Sequence, residues 1–262
     1  MVTEQQLKAS VNTHIFVSGA SGTLGRELAI RLARPGVHLS LWGRNEARLS
    51  EVADRCREHG ARADIRSVDL ANLVNALDAL NHEDNLSPFD LAFLVAGQGD
   101  TLLPGEVIED PYQVARLGHA NFVAPAAMAS ALAARMTTRG AGRIGLVGTA
   151  AASHSLPFAA AYAGSKAGLA RYADALRLAV RKHGVSVTLI TPGFFAAAQG
   201  DHSVTRRPGE ISAGIVAERM IAAVASGRAE VVVPRRFLLL RWLDRLLPRP
   251  LRDRLLLSLR VP

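Results

Sequence analysis

Short apolar runs alternate with longer segments whose apolar residues recur at helical spacing, from residue 14 to residue 233. Alternation of this kind marks βαβ units and a parallel sheet buried on both faces. It predicts strands at 14–18, 37–42, 63–68, 89–96, 143–148, 186–191 and 230–233, and helices at 24–33, 46–59, 70–82, 112–138, 160–183 and 211–226. Several of these helices run into a glycine (Gly60, Gly140, Gly184, Gly227), the residue that helix C-termini favour. Seven such strands make an α/β fold, a doubly wound, seven-stranded parallel sheet of Rossmann type in a single domain. That domain is read as residues 1–234, with 199–210 its most loop-like stretch and 235–262 a C-terminal helical appendage.

Composition narrows the class. With 262 residues, 49% of them hydrophobic and 21% charged, the chain is an ordinary globular protein. The single cysteine, Cys56, excludes an intrachain disulfide framework and a multi-cysteine zinc site, and suits a reducing interior. Eight histidines show no metal-ligand spacing, so no metal is expected. The polar stretch 1–12 lacks a signal-peptide core, and no run approaches the roughly 18 apolar residues of a membrane span. A cytoplasmic protein is expected, soluble or peripheral at the inner membrane face. The net charge of +8 is unevenly placed: eight Arg and two Asp between Arg235 and Arg260 leave only +2 for the rest. Basicity confined to one segment argues against nucleic acid as a partner.

Candidate chemistry begins at Ser18-Gly19-Ala20-Ser21-Gly22-Thr23-Leu24-Gly25, which follows a predicted strand and opens a predicted helix. Gly19 suits a tight turn, Gly22 lets backbone approach a pyrophosphate, and Gly25 allows close helix–strand packing; the helix N-terminus offers N–H groups to the anion. Ser21 and Leu24 lie in the same turn and are further cofactor-binding candidates. After the second strand the sequence reads Trp42-Gly43-Arg44-Asn45, with no carboxylate before Glu46, and Arg26 follows the glycine turn. An arginine there suits the 2′-phosphate of NADP better than the ribose hydroxyl of NAD. NADP is the expected cofactor, with NADPH preferred over NADH.

Tyr162-Ala163-Gly164-Ser165-Lys166 sets a phenol and an ammonium four apart, on one face of a predicted helix. Taken with the glycine turn before it and Thr191-Pro192-Gly193 after the next strand, this pair makes the chain resemble the short-chain dehydrogenase/reductase family over about residues 12–234. By that resemblance Tyr162 is the general acid, Lys166 lowers its pKa and contacts the nicotinamide ribose, and Asn121 supports a proton relay. Asp69 stands where the family has an aspartate near the adenine, and Pro192 and Gly193 border the nicotinamide. Thr149 occupies the slot of the catalytic serine, with Ser153 in reserve. The family's Asn-Asn-Ala-Gly is represented only by Ala96-Gly97, and the glycine spacing is that of the extended branch.

The resemblance implies an NADP-dependent oxidoreductase that reduces a ketone to a secondary alcohol, working as a homodimer or homotetramer. Two alternatives stand beside it: a nucleotide-sensing regulatory protein on the same fold, and a nucleotide-sugar epimerase or dehydratase. Phe194 and Phe195 are candidates to line an apolar substrate pocket, and His154 and His202 lie in loops that could border it. Leucines, Trp242 and interspersed arginines in 235–262 predict two short amphipathic helices broken by Pro248 and Pro250. Such helices suit an anionic membrane surface, or else pack on the sheet or a second subunit. With Arg206 and Arg207 they suggest an amphiphilic or lipid-linked ketone as substrate.

Overall fold

The computed structural model describes residues 13–103, 105–193, 195 and 210–258. Strands β1 (Thr13–Ser18), β2 (Val37–Gly43), β3 (Arg62–Ser67), β4 (Leu91–Leu94), β5 (Gly142–Val147), β6 (Val185–Pro192) and β7 (Glu230–Val233) form one sheet in the order β3-β2-β1-β4-β5-β6-β7. All of its pairings are parallel. The strand order reverses between β1 and β4, and the crevice outside their carboxyl ends is where an open α/β sheet binds its ligand.

Both faces of the sheet are covered, which is why its strands read as apolar runs. Ile15 and Val17 of β1 face a core shared with α1 (Thr23–Leu32), α2 (Glu46–Glu58) and α7 (Ala213–Ala225). Phe16 faces the opposite core, built with α3 (Leu73–Leu86), α5 (Ala124–Arg139) and α6 (Ala160–Val180). Cys56 is buried in the first core, and desolvation pushes its thiol up to about 11, so it is a packing residue rather than a nucleophile.

Two predicted elements are corrected. The strand expected at 89–96 is only Leu91–Leu94, because the N–H groups of Val95 and Ala96 leave the ladder for Ser18 Oγ, at 3.1 and 3.3 Å. At its other end Phe89 N–H donates to Asp84 Oδ1 at 2.8 Å. The single helix expected at 112–138 is α4 (Pro111–Gly118), a π turn (His119–Val123) and α5 in succession. Pro125 has no N–H for the carbonyl of Asn121, and Ala124 N–H reaches back five residues to His119 O instead.

Segment 235–258 forms α8 (Arg236–Leu246) and α9 (Arg249–Ser258). α8 packs against β7 and against the 3-10 turn Ala150–Ser153. Among the described residues, no helix is long and apolar enough to cross a membrane, and no three His, Cys, Asp or Glu side chains cluster as a metal site.

Away from the crevice, α3 and α5 are joined through a buried carboxylate. Asp84 accepts from Arg135, from Arg139 Nη1 at 2.7 Å and from Phe89 N–H, and its side chain is fully buried. Burial alone would push its carboxyl up, but the hydrogen bonds from Arg139, the Phe89 N–H and Arg135 outweigh it and hold it below the usual carboxylate range. Asp84→Ala leaves two guanidinium groups facing each other without their anion. Urea unfolding is expected to show a loss of about 3–5 kcal/mol. A folded-state pKa depressed below the unfolded one means that the contribution is complete above pH ~4 and disappears as pH falls through the folded value, so the gap between wild type and variant should close in acid.

Candidate active site

The turn after β1 is fixed by backbone contacts. Ala20 N–H donates to Trp42 O at the end of β2, and Gly22 N–H donates to Gly19 O, both at 3.0 Å. Gly19 has φ +70°, and a Cβ on it would lie 2.8 Å from Ala96 Cα. A Cβ on Gly25 would lie 2.1 Å from Gly19 O, so the first turn of α1 can sit this close to β1 only without a side chain there. α1 starts after Gly22 with no side-chain cap and no acidic residue in its first turn. A helix N-terminus of this kind receives an anion.

Above this turn opens a cleft of about 760 Å³ at the carboxyl ends of β1, β2 and β4. Of the cofactor candidates, Gly19, Ser21, Gly22, Leu24, Gly25, Arg44, Asp69, Ala96 and Gly97 line it. Asp69 is fixed there by its own turn, its Oδ1 accepting Ala71 N–H at 3.0 Å. Pro192, Gly193 and Lys166 do not line the cleft: Lys166 is buried behind Gly97, and Gly193 lies under the ring of Phe237 from α8. Phe195 does line it, whereas Phe194, His202, Arg206 and Arg207 lie outside the described residues.

A second depression, of about 550 Å³, adjoins the first and is walled by Ser21, Gly22, Arg44, Asn45 and Arg48. Asn45 caps α2 by accepting Arg48 N–H at 2.9 Å, which sets Arg48 one turn above Arg44. Arg26, expected from the sequence to assist Arg44, stands on α1 and lines neither depression. Arg48 was not singled out from the sequence; its i+4 spacing from Arg44 was the available signal. The helix end and the crowded glycines fit the pyrophosphate of a nicotinamide dinucleotide, and the arginine pair stands beside them.

The second half of the site is built on α6. Tyr162 and Lys166, one turn apart, meet different partners. Burial pushes the Tyr162 phenol above its ordinary value, and a hydrogen bond with the Thr149 side chain partly opposes this. Thr149, rather than Ser153, therefore stands at the phenol; its Oγ1 also accepts Ala151 N–H at 3.3 Å. Lys166, expected by the resemblance to lower the phenol, turns its ammonium to the main chain. Lys166 is 4% exposed, donates to Val147 O at 2.8 Å, and is itself lowered to about 8 by burial. Asn121, fully buried in the π turn, uses its whole side chain on one neighbour: Oδ1 accepts Gln98 N–H at 2.9 Å and Nδ2 donates to Gln98 O at 2.8 Å. Gly97 sits between the two, since a Cβ there would lie 2.9 Å from Asn121 Oδ1 and 3.0 Å from Lys166 Nζ.

One further residue supports the site. Glu109, 9% exposed in the segment before α4, accepts Ala161 N–H with Oε2 at 2.8 Å. It therefore caps from a distance the helix that carries Tyr162 and Lys166. Its only mark in the sequence is a carboxylate beside the apolar pair Val107-Ile108.

The family profile for short chain dehydrogenase matches residues 13–207. A protein of Myxococcus xanthus (strain DK1622) named uncharacterized oxidoreductase is 30% identical over 243 residues, which is 91% of this chain and 94% of that protein. Ketoacyl reductase HetN of Nostoc sp. is 26% identical, over 84% of this chain and 77% of its own length. Of two vertebrate relatives, from Danio rerio and Bos taurus, the chain spans 63% and 61%. The solved short-chain dehydrogenase from Sphingobium yanoikuyae in complex with NADPH shares the fold at TM-score 0.78 and 22% identity, covering 95% of this chain and 96% of that one. The chain belongs to the short-chain dehydrogenase family and is an NAD(P)-dependent dehydrogenase/reductase.

Removing the remote cap should loosen α6 where its first turn bears Tyr162. Glu109→Ala is expected to cost about 1–2 kcal/mol, a drop of a few degrees in thermal midpoint. Glu109→Gln, which keeps an acceptor oxygen, should recover most of it; calorimetry of the two variants checks this.

Proposed function

We propose that this protein reduces a ketone to a secondary alcohol with NADPH, using Tyr162 as the general acid. The observation that carries the reading is the Thr149 side chain set against the phenol of a half-buried Tyr162, one helical turn from Lys166 and beside the nucleotide cleft. The cofactor supplies the hydride, which goes to the carbonyl carbon. The protein does the rest. Thr149 holds the carbonyl oxygen and directs it at the phenol. Tyr162, kept protonated near neutrality by burial, gives its proton to that oxygen as negative charge builds there. The Thr149 hydroxyl then stabilises the phenolate left behind.

Proton return runs along the buried side of α6. Lys166, lowered to about 8, exchanges protons near neutral pH. The Asn121 side chain is fully used by Gln98, so its carbonyl, which Pro125 cannot serve as donor, is the group that anchors a relay water. The likeness to a relative named ketoacyl reductase supports a ketone as substrate, and Phe195 supports one with an apolar body. Arg44 and Arg48, with Ser21 beside them and no carboxylate in that depression, support NADPH over NADH.

Two experiments test the reading. Tyr162→Phe removes the proton donor and touches nothing at the pyrophosphate turn. It should lower kcat by about 10²–10⁴ while NADPH affinity, followed by quenching of protein fluorescence, stays within a few-fold. Turnover within a few-fold of wild type would refute the role. Arg44→Asp should weaken NADPH by about tenfold to a hundredfold and leave NADH unchanged or somewhat tighter, because it places a like charge at the 2′-phosphate and an acceptor at the ribose hydroxyl. Equal loss for both cofactors would remove Arg44 from phosphate recognition.

A further inference from the structure

One face of α8 rests on the sheet. On that face Phe237 lies so close to Gly193 that a Cβ there would come within 2.1 Å of its ring, and four residues on Arg241 pairs with Glu230 at 2.9 and 3.0 Å. The opposite face carries Leu239, Trp242 and Leu246 at i, i+3 and i+7, which are 73%, 61% and 75% exposed. Beyond Pro248, α9 adds Leu251 and Leu255, four apart and 54% and 49% exposed. Exposed Arg235, Arg236, Arg249 and Arg254 lie among these residues, in the segment that carries +6 of the net charge of +8.

A partner for this face has to cover leucine and tryptophan and also neutralise arginine. A second copy meeting the same face across a twofold axis would set +6 against +6, which opposes association. Nucleic acid would neutralise the arginines and leave the leucines in water. An anionic bilayer meets both demands: leucines enter the acyl boundary, tryptophan sits at the headgroup level and arginines face the phosphates. We propose that α8 and α9 dock this enzyme on an anionic lipid surface. Because α8 also packs on the turn Ala150–Ser153 that follows Thr149, the docked face lies alongside the catalytic end of the sheet. The proposal stands apart from the ketone reading, and lipid binding is measured without turnover.

Its test uses the full chain, since α8 is part of the packing around Gly193 and a truncation would disturb it. Flotation with vesicles of mixed phosphatidylcholine and phosphatidylglycerol is compared with flotation on phosphatidylcholine alone, at low and high salt. The chain should float with the anionic vesicles at low salt and several-fold less at high salt or on neutral lipid. Of the two tryptophans Trp42 is 1% exposed, so a blue shift of emission on anionic vesicles reports Trp242 entering the interface. Leu239→Ser with Trp242→Ser should weaken partitioning about tenfold or more. Arg249→Glu with Arg254→Glu should do so as well, and serves alone if the first variant fails to fold by circular dichroism. Negligible binding to anionic vesicles, equal binding to neutral ones, or binding untouched by the foldable variants would overturn the proposal. So would a concentration-dependent dimer that the Leu239/Trp242 variant dissolves, or duplex DNA displacing the chain from vesicles without any emission shift of its own.

Discussion

Backbone pressed against backbone at the end of β1 is the constraint from which the rest of the site follows. Gly19 takes a left-handed turn with its open side against Ala96, and Gly25 brings α1 against the Gly19 carbonyl. A side chain at either position would lift α1 off the sheet and close the anion site at its N-terminus. The same crowding fixes the next segment. Ser18 draws Val95 and Ala96 out of the β4 ladder, so the chain beyond them turns across the crevice, and Gly97 arrives between Asn121 and Lys166. A continuous line of short contacts thus joins the nucleotide turn to the helix bearing Tyr162, and the two halves of the site are set in mutual register by packing rather than by a hinge.

Buried charge is used in opposite ways at the two ends of this sheet. Asp84 is surrounded by donors, and its charge is favoured despite burial. Lys166 donates to one carbonyl, Val147 O, and burial lowers it to about 8, so its proton is held loosely. The first arrangement serves stability, since breaking it strands two arginines. The second is costly to the fold and useful to a reaction, because a group that gains and loses its proton near neutrality can pass one on. Tyr162 is shifted the other way: burial raises its phenol and favours the protonated form.

Much of this was readable along the chain because its strongest determinants are local. Three glycines in seven residues, a Tyr and a Lys one turn apart, and strand and helix periodicity are each decided within a short window, and so the sheet and the nucleotide turn could be placed from sequence. The missing parts depend on distant residues. Glu109 caps a helix that begins 51 residues later in sequence, counting to Ala160, and nothing near Glu109 announces it. Phe237 and Gly193 meet only because β6 and β7 are neighbours. Ser18 shortens β4 across a sheet pairing, which periodicity cannot register. Pro125 was the exception: a proline inside a predicted helix is a local sign of a break, and the π turn that holds Asn121 is its consequence. The bond from Lys166 to Val147 O was out of reach for another reason, since helical spacing puts two residues on one face without saying which atoms their side chains reach.

The contact of Phe237 with Gly193 gives that glycine a second explanation. By resemblance to the family, Pro192-Gly193 borders the nicotinamide; in this chain Gly193 also makes room for an aromatic ring from the C-terminal segment. Glu230 reinforces the join by accepting from Thr191 Oγ1 at 3.1 Å while it pairs with Arg241. The end of β6 is therefore clamped to α8 by an aromatic contact and a three-residue polar link. A force applied to the outer face of α8 has a rigid route to Thr191, Pro192 and Gly193, because Arg241 and Phe237 are on the inner face of the same short helix. The C-terminal segment is thus a structural part of this end of the sheet as well as a basic surface with exposed leucines and a tryptophan.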